Sequence, residues 1–114
     1  MKKRYVIQAS CFDRKGNLLS TAINDYNKSS PFMAKFAKLA GEPEKVYWHA
    51  ECLAIYRALK KNKKIDSLVI VRYDSKGCLK NSKPCKVCEY VCKFFGVQKV
   101  LYSTEQGMLQ LNLK

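Results

Sequence analysis

The chain has 114 residues, 47% of them hydrophobic, and 22 Lys and Arg against 9 Asp and Glu give it a net charge of +13. The apolar share argues against an intrinsically disordered chain, and no apolar run approaches the roughly 18 residues that cross a membrane. The basic excess favours a polyanionic or anionic partner, and it equally suits a solvated surface. Because nothing resembles a secretion signal, we expect a cytoplasmic protein without a membrane partner.

Patterns of alternation and helical spacing predict the elements in chain order. A β-rich alternating segment over 4–11 is joined by a turn at 13–17 to a second strand over 17–24, which makes a hairpin. Ser30-Pro31 is a typical helix start, and Gly41 ends the helical spacing that follows it. The further predicted elements are helices over 31–40, 49–60 and 85–95 and strands over 67–73, 97–103 and 107–113.

The order of these elements predicts the fold class. Strands alternating with helices favour an α/β protein, and we expect a single domain over 1–114 with three layers, a mixed five-stranded sheet carrying helices on its faces. The segment between the final two strands is only Thr104-Glu105-Gln106. A parallel pair needs a crossover of about a dozen residues. The final two strands are therefore expected to form an antiparallel hairpin.

Two short motifs carry chemistry: HAE at 49–51 and PCKVC at 84–88. Each follows a loop and opens a predicted helix, where the helix dipole favours a thiolate. Cys85 and Cys88 lie on one helix face, and His49 supplies a third ligand from the other helix. Three protein ligands leave the fourth tetrahedral position to water, as in catalytic zinc sites. The sequence predicts one Zn²⁺ per chain at this site.

Three further residues near the motifs need an interpretation. Cys92 or Cys52 would close the site if either were a fourth ligand, but cysteine is commonly buried, and we interpret both as core thiols. In a cytoplasmic chain reduced thiols are expected, rather than disulfides. Glu51, two residues after His49, projects toward the same site without sharing the direction of His49. We interpret Glu51 as the residue that moves protons between water and substrate, rather than as a first-turn acid of a helix.

With these motifs the chain resembles the cytidine deaminase superfamily, whose zinc enzymes carry H-x-E and P-C-x-x-C. The resemblance covers most of the sequence, but the usual N-terminal helix is absent and a helix stands at 31–40 where many members have a loop. His at position 49 resembles deoxycytidylate, tRNA-adenosine and polynucleotide cytidine deaminases. The final hairpin instead resembles nucleoside cytidine deaminases and bacterial toxin deaminases, which makes adenine the less favoured base.

Candidate substrate contacts follow from the resemblance and from position. Asn24 matches a position where the family often has an Asn that contacts sugar or base, although Asn also suits a strand end. Lys83, where the family usually has a small or acidic residue, would meet a phosphate. Three aromatic residues flank the predicted pocket and would stack on a base or serve in packing. The aromatic residues are Tyr26, Trp48 and Tyr73, and Ala50 and Pro84 inside the motifs complete the set.

The predicted function is zinc-dependent hydrolytic deamination of cytosine to uracil, in single-stranded DNA or RNA because of the charge. One alternative is a deaminase of free nucleosides or nucleotides. An alternative of another class is a non-catalytic zinc module that binds nucleic acid, which would require a fourth protein ligand and leave Glu51 without a role. The sequence leaves the oligomeric state open, a homo-oligomer included.

Overall fold

A computed structural model describes residues 6–43 and 47–113. Every predicted helix and strand is present with its ends displaced by at most two residues, except that residues 4 and 5 lie outside the described part. No helix of the described residues is long and apolar enough to cross a membrane. The elements are β1 (Val6–Phe12), β2 (Leu18–Ile23), β3 (Asp25–Ser29), α1 (Pro31–Leu39), β4 (Tyr47–Trp48), α2 (Ala50–Lys60), β5 (Ser67–Tyr73), β6 (Leu79–Lys80), α3 (Lys86–Phe94), β7 (Lys99–Thr104) and β8 (Gly107–Asn112).

Three short strands, β3, β4 and β6, were not predicted. The β3 segment, DYNKS, is polar and poor in β-forming residues, and β4 and β6 have two residues each. Such segments become strands only through their partners: β3 pairs with β4 on the far side of α1, and β6 pairs with the end of β5 across the turn at 74–78. Local propensity and periodicity carry no signal for pairings of this kind.

The main sheet has the strand order β2-β1-β5-β7-β8, with β6 added beside β5. β1 is antiparallel to β2 and to β5, whereas β5 and β7 are parallel. β7 and β8 are antiparallel, from Lys99 opposite Asn112 to Thr104 opposite Gly107. The mixed α/β sheet and the antiparallel final hairpin are thus confirmed, and β6 makes the sheet six-stranded where five strands were expected.

The core lies between the helices and one face of this sheet. Ala9, Cys11, Leu68, Ile70 and Val100 alternate along three neighbouring strands and are fully buried. They join apolar residues of all three helices in one cluster. Positions on the other face are exposed or half-buried, among them Gln8, Ser10, Val69, Val71 and Leu101.

The topology separates two ends of the domain. α2 and α3 each precede a strand, β5 and β7, and those two strands are parallel. The starts of both helices therefore lie at the carboxyl end of β5 and β7, the end at which β2 also finishes. The opposite end holds the β1–β2 turn and the loop from α2 to β5. The HAE and PCKVC motifs lie at the first end, beside the carboxyl ends of β5 and β7.

Candidate metal centre and active site

His49 and Cys85 occupy equivalent places at the starts of the two helices. Each is the residue before the first helical turn, with extended backbone (φ −83°, ψ 147° and φ −71°, ψ 170°), and neither side chain caps its own helix. Their carbonyl oxygens accept the first helical hydrogen bonds, from Leu53 and Glu89. Both side chains therefore point out of their own helices. They do so at helix starts, where the helix dipoles favour anionic ligands.

The structure brings His49, Cys85 and Cys88 together. His49 Nδ1 lies 3.5 Å from Cys85 Sγ and 3.4 Å from Cys88 Sγ, and one ligand atom from each of the three lies within 4.8 Å of the others. A tetrahedral zinc with ordinary bond lengths separates a nitrogen and a sulfur ligand by about 3.6 Å. One imidazole and two thiols also form a donor set that zinc prefers. The three residues therefore fit zinc, with Nδ1 as the histidine donor.

The two cysteines differ in their protonation before metal is bound. A hydrogen bond from the Cys88 thiol lowers the pKa of Cys85 to about 3, and His49 acts in the same direction. Hydrogen bonds with Cys52 and Cys85, together with burial, raise the pKa of Cys88 well above its usual value. Since a coordinating thiol is deprotonated, metal binding at this centre displaces a proton from Cys88.

Glu51 lies in the first turn of α2 and is 5% exposed. Burial raises the pKa of its carboxyl, whereas its own backbone N–H and the nearby His49 lower that pKa. The carboxyl also interacts with Cys85 and Cys88. A carboxyl group is thus held near all three candidate ligands and is itself almost inaccessible to water.

This chain resembles a known protein family in sequence and solved structures in fold. The family described as the cytidine and deoxycytidylate deaminase zinc-binding region matches residues 3–104. The chain belongs to this family. A cytidine deaminase from Mycobacterium leprae has a similar fold, with a TM-score of 0.57 and 18% identity over 94% of this chain and 75% of that one. A mutant cytidine deaminase from Mycobacterium tuberculosis gives 0.57 and 16% over 96% and 74%. No curated protein matches the sequence significantly.

Membership of the cytidine and deoxycytidylate deaminase family supports a zinc-binding deaminase with its candidate zinc site at His49, Cys85 and Cys88. The H-x-E and P-C-x-x-C motifs lie inside the matched residues, so the resemblance seen in the sequence is confirmed. The substrate and the roles of individual side chains stay predictions.

Two predicted substrate contacts are engaged by the protein itself. Asn24 follows β2 and its Oδ1 accepts a hydrogen bond from the backbone N–H of Ile7 at 3.0 Å. Its amide NH₂ is therefore the group that would face a substrate. The Trp48 ring stacks on Phe32, with centroids 5.9 Å apart, and lies 5.3 Å from the ring of Tyr56. This packing accounts for Trp48 without a base.

The other predicted contacts lie in different settings. Ala50 is fully buried between His49 and Glu51, and Pro84 is buried beside Cys85. Tyr73 ends β5 and is half-buried at the same end of the sheet as the metal centre. The remaining two predicted contacts are Lys83, which is exposed, and Tyr26, which lies in β3 with its side chain outside the described part.

A buried serine pair, absent from the sequence predictions, anchors the loop that leads into Pro84-Cys85. Ser82 Oγ donates to the Ile70 carbonyl at 3.0 Å and accepts from the Ser103 N–H at 2.7 Å. Ser103 Oγ donates to the Lys80 carbonyl and accepts from the Arg72 N–H. The loop is thereby fastened to β5 and β7 just before the metal cysteines.

Ser82→Ala is expected to lower the free energy of unfolding by about 1–3 kcal/mol, because it leaves the buried Ser103 N–H without its acceptor. Urea denaturation of the zinc-loaded protein measures the change. Ser75→Ala is the matched control, since Ser75 is exposed in the turn between β5 and β6. Equal stability of both variants would show that the serine pair does not fasten the loop.

Cys52 has a contact that the sequence analysis did not anticipate. Cys52 and Cys92 are both fully buried, as expected of core thiols. Cys52 Sγ, however, also lies 3.3 Å from Cys88 Sγ. The available signal was its position one turn after His49, which puts it on the His49 face of α2.

Proposed function

We propose that this chain is a zinc-dependent hydrolase that converts cytosine to uracil within single-stranded DNA or RNA. The observation that carries the proposal is the grouping of His49, Cys85 and Cys88 beside the buried carboxyl of Glu51. Three ligands leave a tetrahedral metal one position for water or substrate, which is the arrangement of a catalytic site.

The chemistry replaces the exocyclic amine at carbon 4 of the base by an oxygen from water. When bound, zinc supplies activation of that water for attack. Glu51 accepts the proton that water releases and passes protons to the ring nitrogen and then to the departing ammonia. The carbon–oxygen bond forms, the carbon–nitrogen bond breaks, and no oxidant is needed. Burial of Glu51 suits these transfers because protons are not lost to bulk water.

The choice of a polynucleotide rests on the charge and on a basic cleft at the opposite end from the metal centre. The cleft has a volume of about 740 Å³ and lies between the β1–β2 turn and the loop after α2. Both carboxylate oxygens of Asp13 accept hydrogen bonds, Oδ1 from the backbone N–H groups of Lys15 and Asn17 and Oδ2 from the Asn17 side chain. The charged residues that line the cleft are Asp13, Arg14, Lys15, Lys63, Lys64 and Asp66.

The lysines that follow α2 divide into two groups. Lys60 lies over the Tyr56 ring, with Nζ 5.1 Å from its centroid, and Lys61 Nζ donates to the Leu19 carbonyl at 3.0 Å. Both lysines thus make contacts within the protein. The side chains of Lys63 and Lys64 have no hydrogen bond or ion pair within the described residues, and they face the cleft. They are therefore the cations of this segment that suit the phosphates of a partner.

The distance between the metal centre and the basic cleft favours an extended ligand. α2 has 11 residues, so its ends are separated by about 16 Å. A single phosphate group cannot meet both Lys83, next to the metal cysteines, and the cleft. A strand whose cytosine occupies the metal centre can place further phosphates along the domain toward the cleft.

Lys63→Ala combined with Lys64→Ala is expected to weaken binding of a cytosine-containing single strand and to flatten its salt dependence. Each phosphate neutralised on a single strand contributes about −0.7 to the slope of log affinity against log salt, so two lost contacts change the slope by about 1.4. Fluorescence anisotropy over a series of salt concentrations measures the slope. Turnover of a free cytosine nucleotide should be unchanged.

Lys60→Ala combined with Lys61→Ala is the matched control, since it removes the same charge from the same segment but outside the cleft. An equal change in slope for both pairs would contradict a specific cleft and leave only general attraction. Salt-insensitive turnover of a free nucleotide, with no turnover of strands, would favour the second candidate, a nucleotide deaminase in which the exposed Lys83 meets the phosphate.

A further inference from the structure

Cys52 and Cys88 form a sulfur–sulfur contact beneath the candidate metal centre. The two Sγ atoms are 3.3 Å apart, and both residues are fully buried, one on α2 and one on α3. Water cannot compete for either sulfur at such a site. A contact of this length between unlinked cysteines, both free, is within range of a hydrogen bond that involves sulfur.

The direction of this hydrogen bond follows from metal chemistry. A thiol that binds zinc does so as a thiolate, which has no hydrogen to donate. With Cys88 bound to metal, the hydrogen between the two sulfurs must belong to Cys52. Among the described residues, the ligand atoms that lie within 4.8 Å of one another belong to His49, Cys85 and Cys88. Cys52 is not a member of this group.

We infer that Cys52 is a positioning residue of the metal centre, whose S–H donates to the Cys88 thiolate. This bond fixes the orientation of the Cys88 side chain and withdraws negative charge from its sulfur. The metal then receives less charge from that ligand and is a stronger Lewis acid. Neighbours of this kind, which touch a ligand rather than the metal, typically change metal affinity or activity by about 10–100-fold.

The surroundings of Cys52 explain why a donor is useful there. Two thiolates and the Glu51 carboxylate carry three negative charges, which exceed the two positive charges of a zinc ion, and a metal-bound imidazole is neutral. A donor to one thiolate stabilises that collection of negative groups. The donor comes from the same helix as His49 and Glu51, so it also ties the α2 half of the site to the α3 half.

The test compares Cys52→Ala with Cys52→Ser, and neither readout needs turnover. Cys52→Ala removes the group that fixes the orientation of Cys88. This loss of positioning is expected to outweigh the stronger donation of a thiolate without a hydrogen bond, so that zinc transfer to a chelator becomes about 10-fold faster or more. Cys52→Ser keeps an O–H donor, so its rate of zinc transfer should fall between those of the parent protein and Cys52→Ala. In cobalt-substituted Cys52→Ala, the sulfur-to-metal absorption band should move to longer wavelength with its intensity kept, because two thiolates remain and one has lost its hydrogen bond.

Cys11→Ala is the matched control, since Cys11 is another fully buried thiol whose partner is Ser20 rather than a metal ligand. Release rates and spectra that are the same in the Cys52 variants as in Cys11→Ala would overturn the inference. Loss of band intensity in Cys52→Ala would also overturn it, because Cys52 would then be a metal ligand. Should Cys52→Ala not fold, the rate and band of Cys52→Ser decide the matter. The result is independent of the proposed reaction and can fail or succeed without it.

Discussion

Glu51→Gln is expected to keep zinc and fold but to lose nearly all deamination. The substitution preserves the volume of a side chain that is 5% exposed, so the packing around it is retained. An amide cannot accept the proton released by water or deliver it to the leaving group. A general acid–base residue contributes about 10²–10⁴-fold to the rate, and Glu51 is assigned several transfers, so the loss should reach at least the upper part of that range. Ammonia release at saturating substrate measures it.

The control for this variant is Glu105→Gln, which removes the same charge from the exposed β7–β8 turn. Its rate should equal that of the parent protein. Metal analysis must find the same zinc content in both variants, so that lost metal is not mistaken for lost chemistry. Parent-like turnover by zinc-loaded Glu51→Gln would contradict the assignment of Glu51 as the proton carrier.

Cys85→Ala and Cys88→Ala are expected to lose bound zinc and much of the stability of the fold. Metal binding is linked to folding, and zinc–thiolate sites in small domains contribute on the order of 10 kcal/mol. Cys88→Ala should be the more damaging, because Cys88 is fully buried whereas Cys85 is half-buried. Zinc content by elemental analysis and the midpoint of thermal unfolding report the two effects.

Cys78→Ala is the control for the loss of a thiol, since Cys78 is exposed in the loop before β6. It should keep one zinc per chain and the parent melting temperature. Full zinc occupancy in the combined Cys85→Ala and Cys88→Ala variant would remove both residues from the metal centre, and the zinc would have to be held elsewhere.

Much of the fold could be predicted because its signals are local. The Ser30 side chain accepts from Met33 N–H and begins α1, as the Ser-Pro pair indicated. β5 was predicted with its observed bounds from its continuous apolar run, although its second face, at Val69 and Val71, is only half-buried. The three residues expected between the final two strands were too few for a parallel crossover, which was enough to predict their antiparallel pairing.

The parts that could not be predicted depend on contacts between distant residues. The Cys52–Cys88 contact joins two helices. The spacing of Cys52 from His49 indicates the face of α2 on which Cys52 lies, but not its partner on α3. The sequence left Trp48 either to stack on a base or to serve in packing, and only the fold shows its ring against Phe32, on a helix that the family resemblance did not include. The lysines at 60–64 formed one cluster in the sequence, and only the fold separates those that contact the protein from those that face the cleft.

The most direct test of the central claim is ammonia release by the zinc-loaded protein from a panel of matched substrates. The panel contains single-stranded DNA and RNA with one cytosine, the same strands with uracil in its place, and free cytidine nucleosides and nucleotides. Ammonia is expected from a cytosine-containing strand, with uracil appearing at that position, and none after Glu51→Gln. Absence of ammonia from every cytosine compound, with zinc bound and the protein folded, would contradict the proposed function.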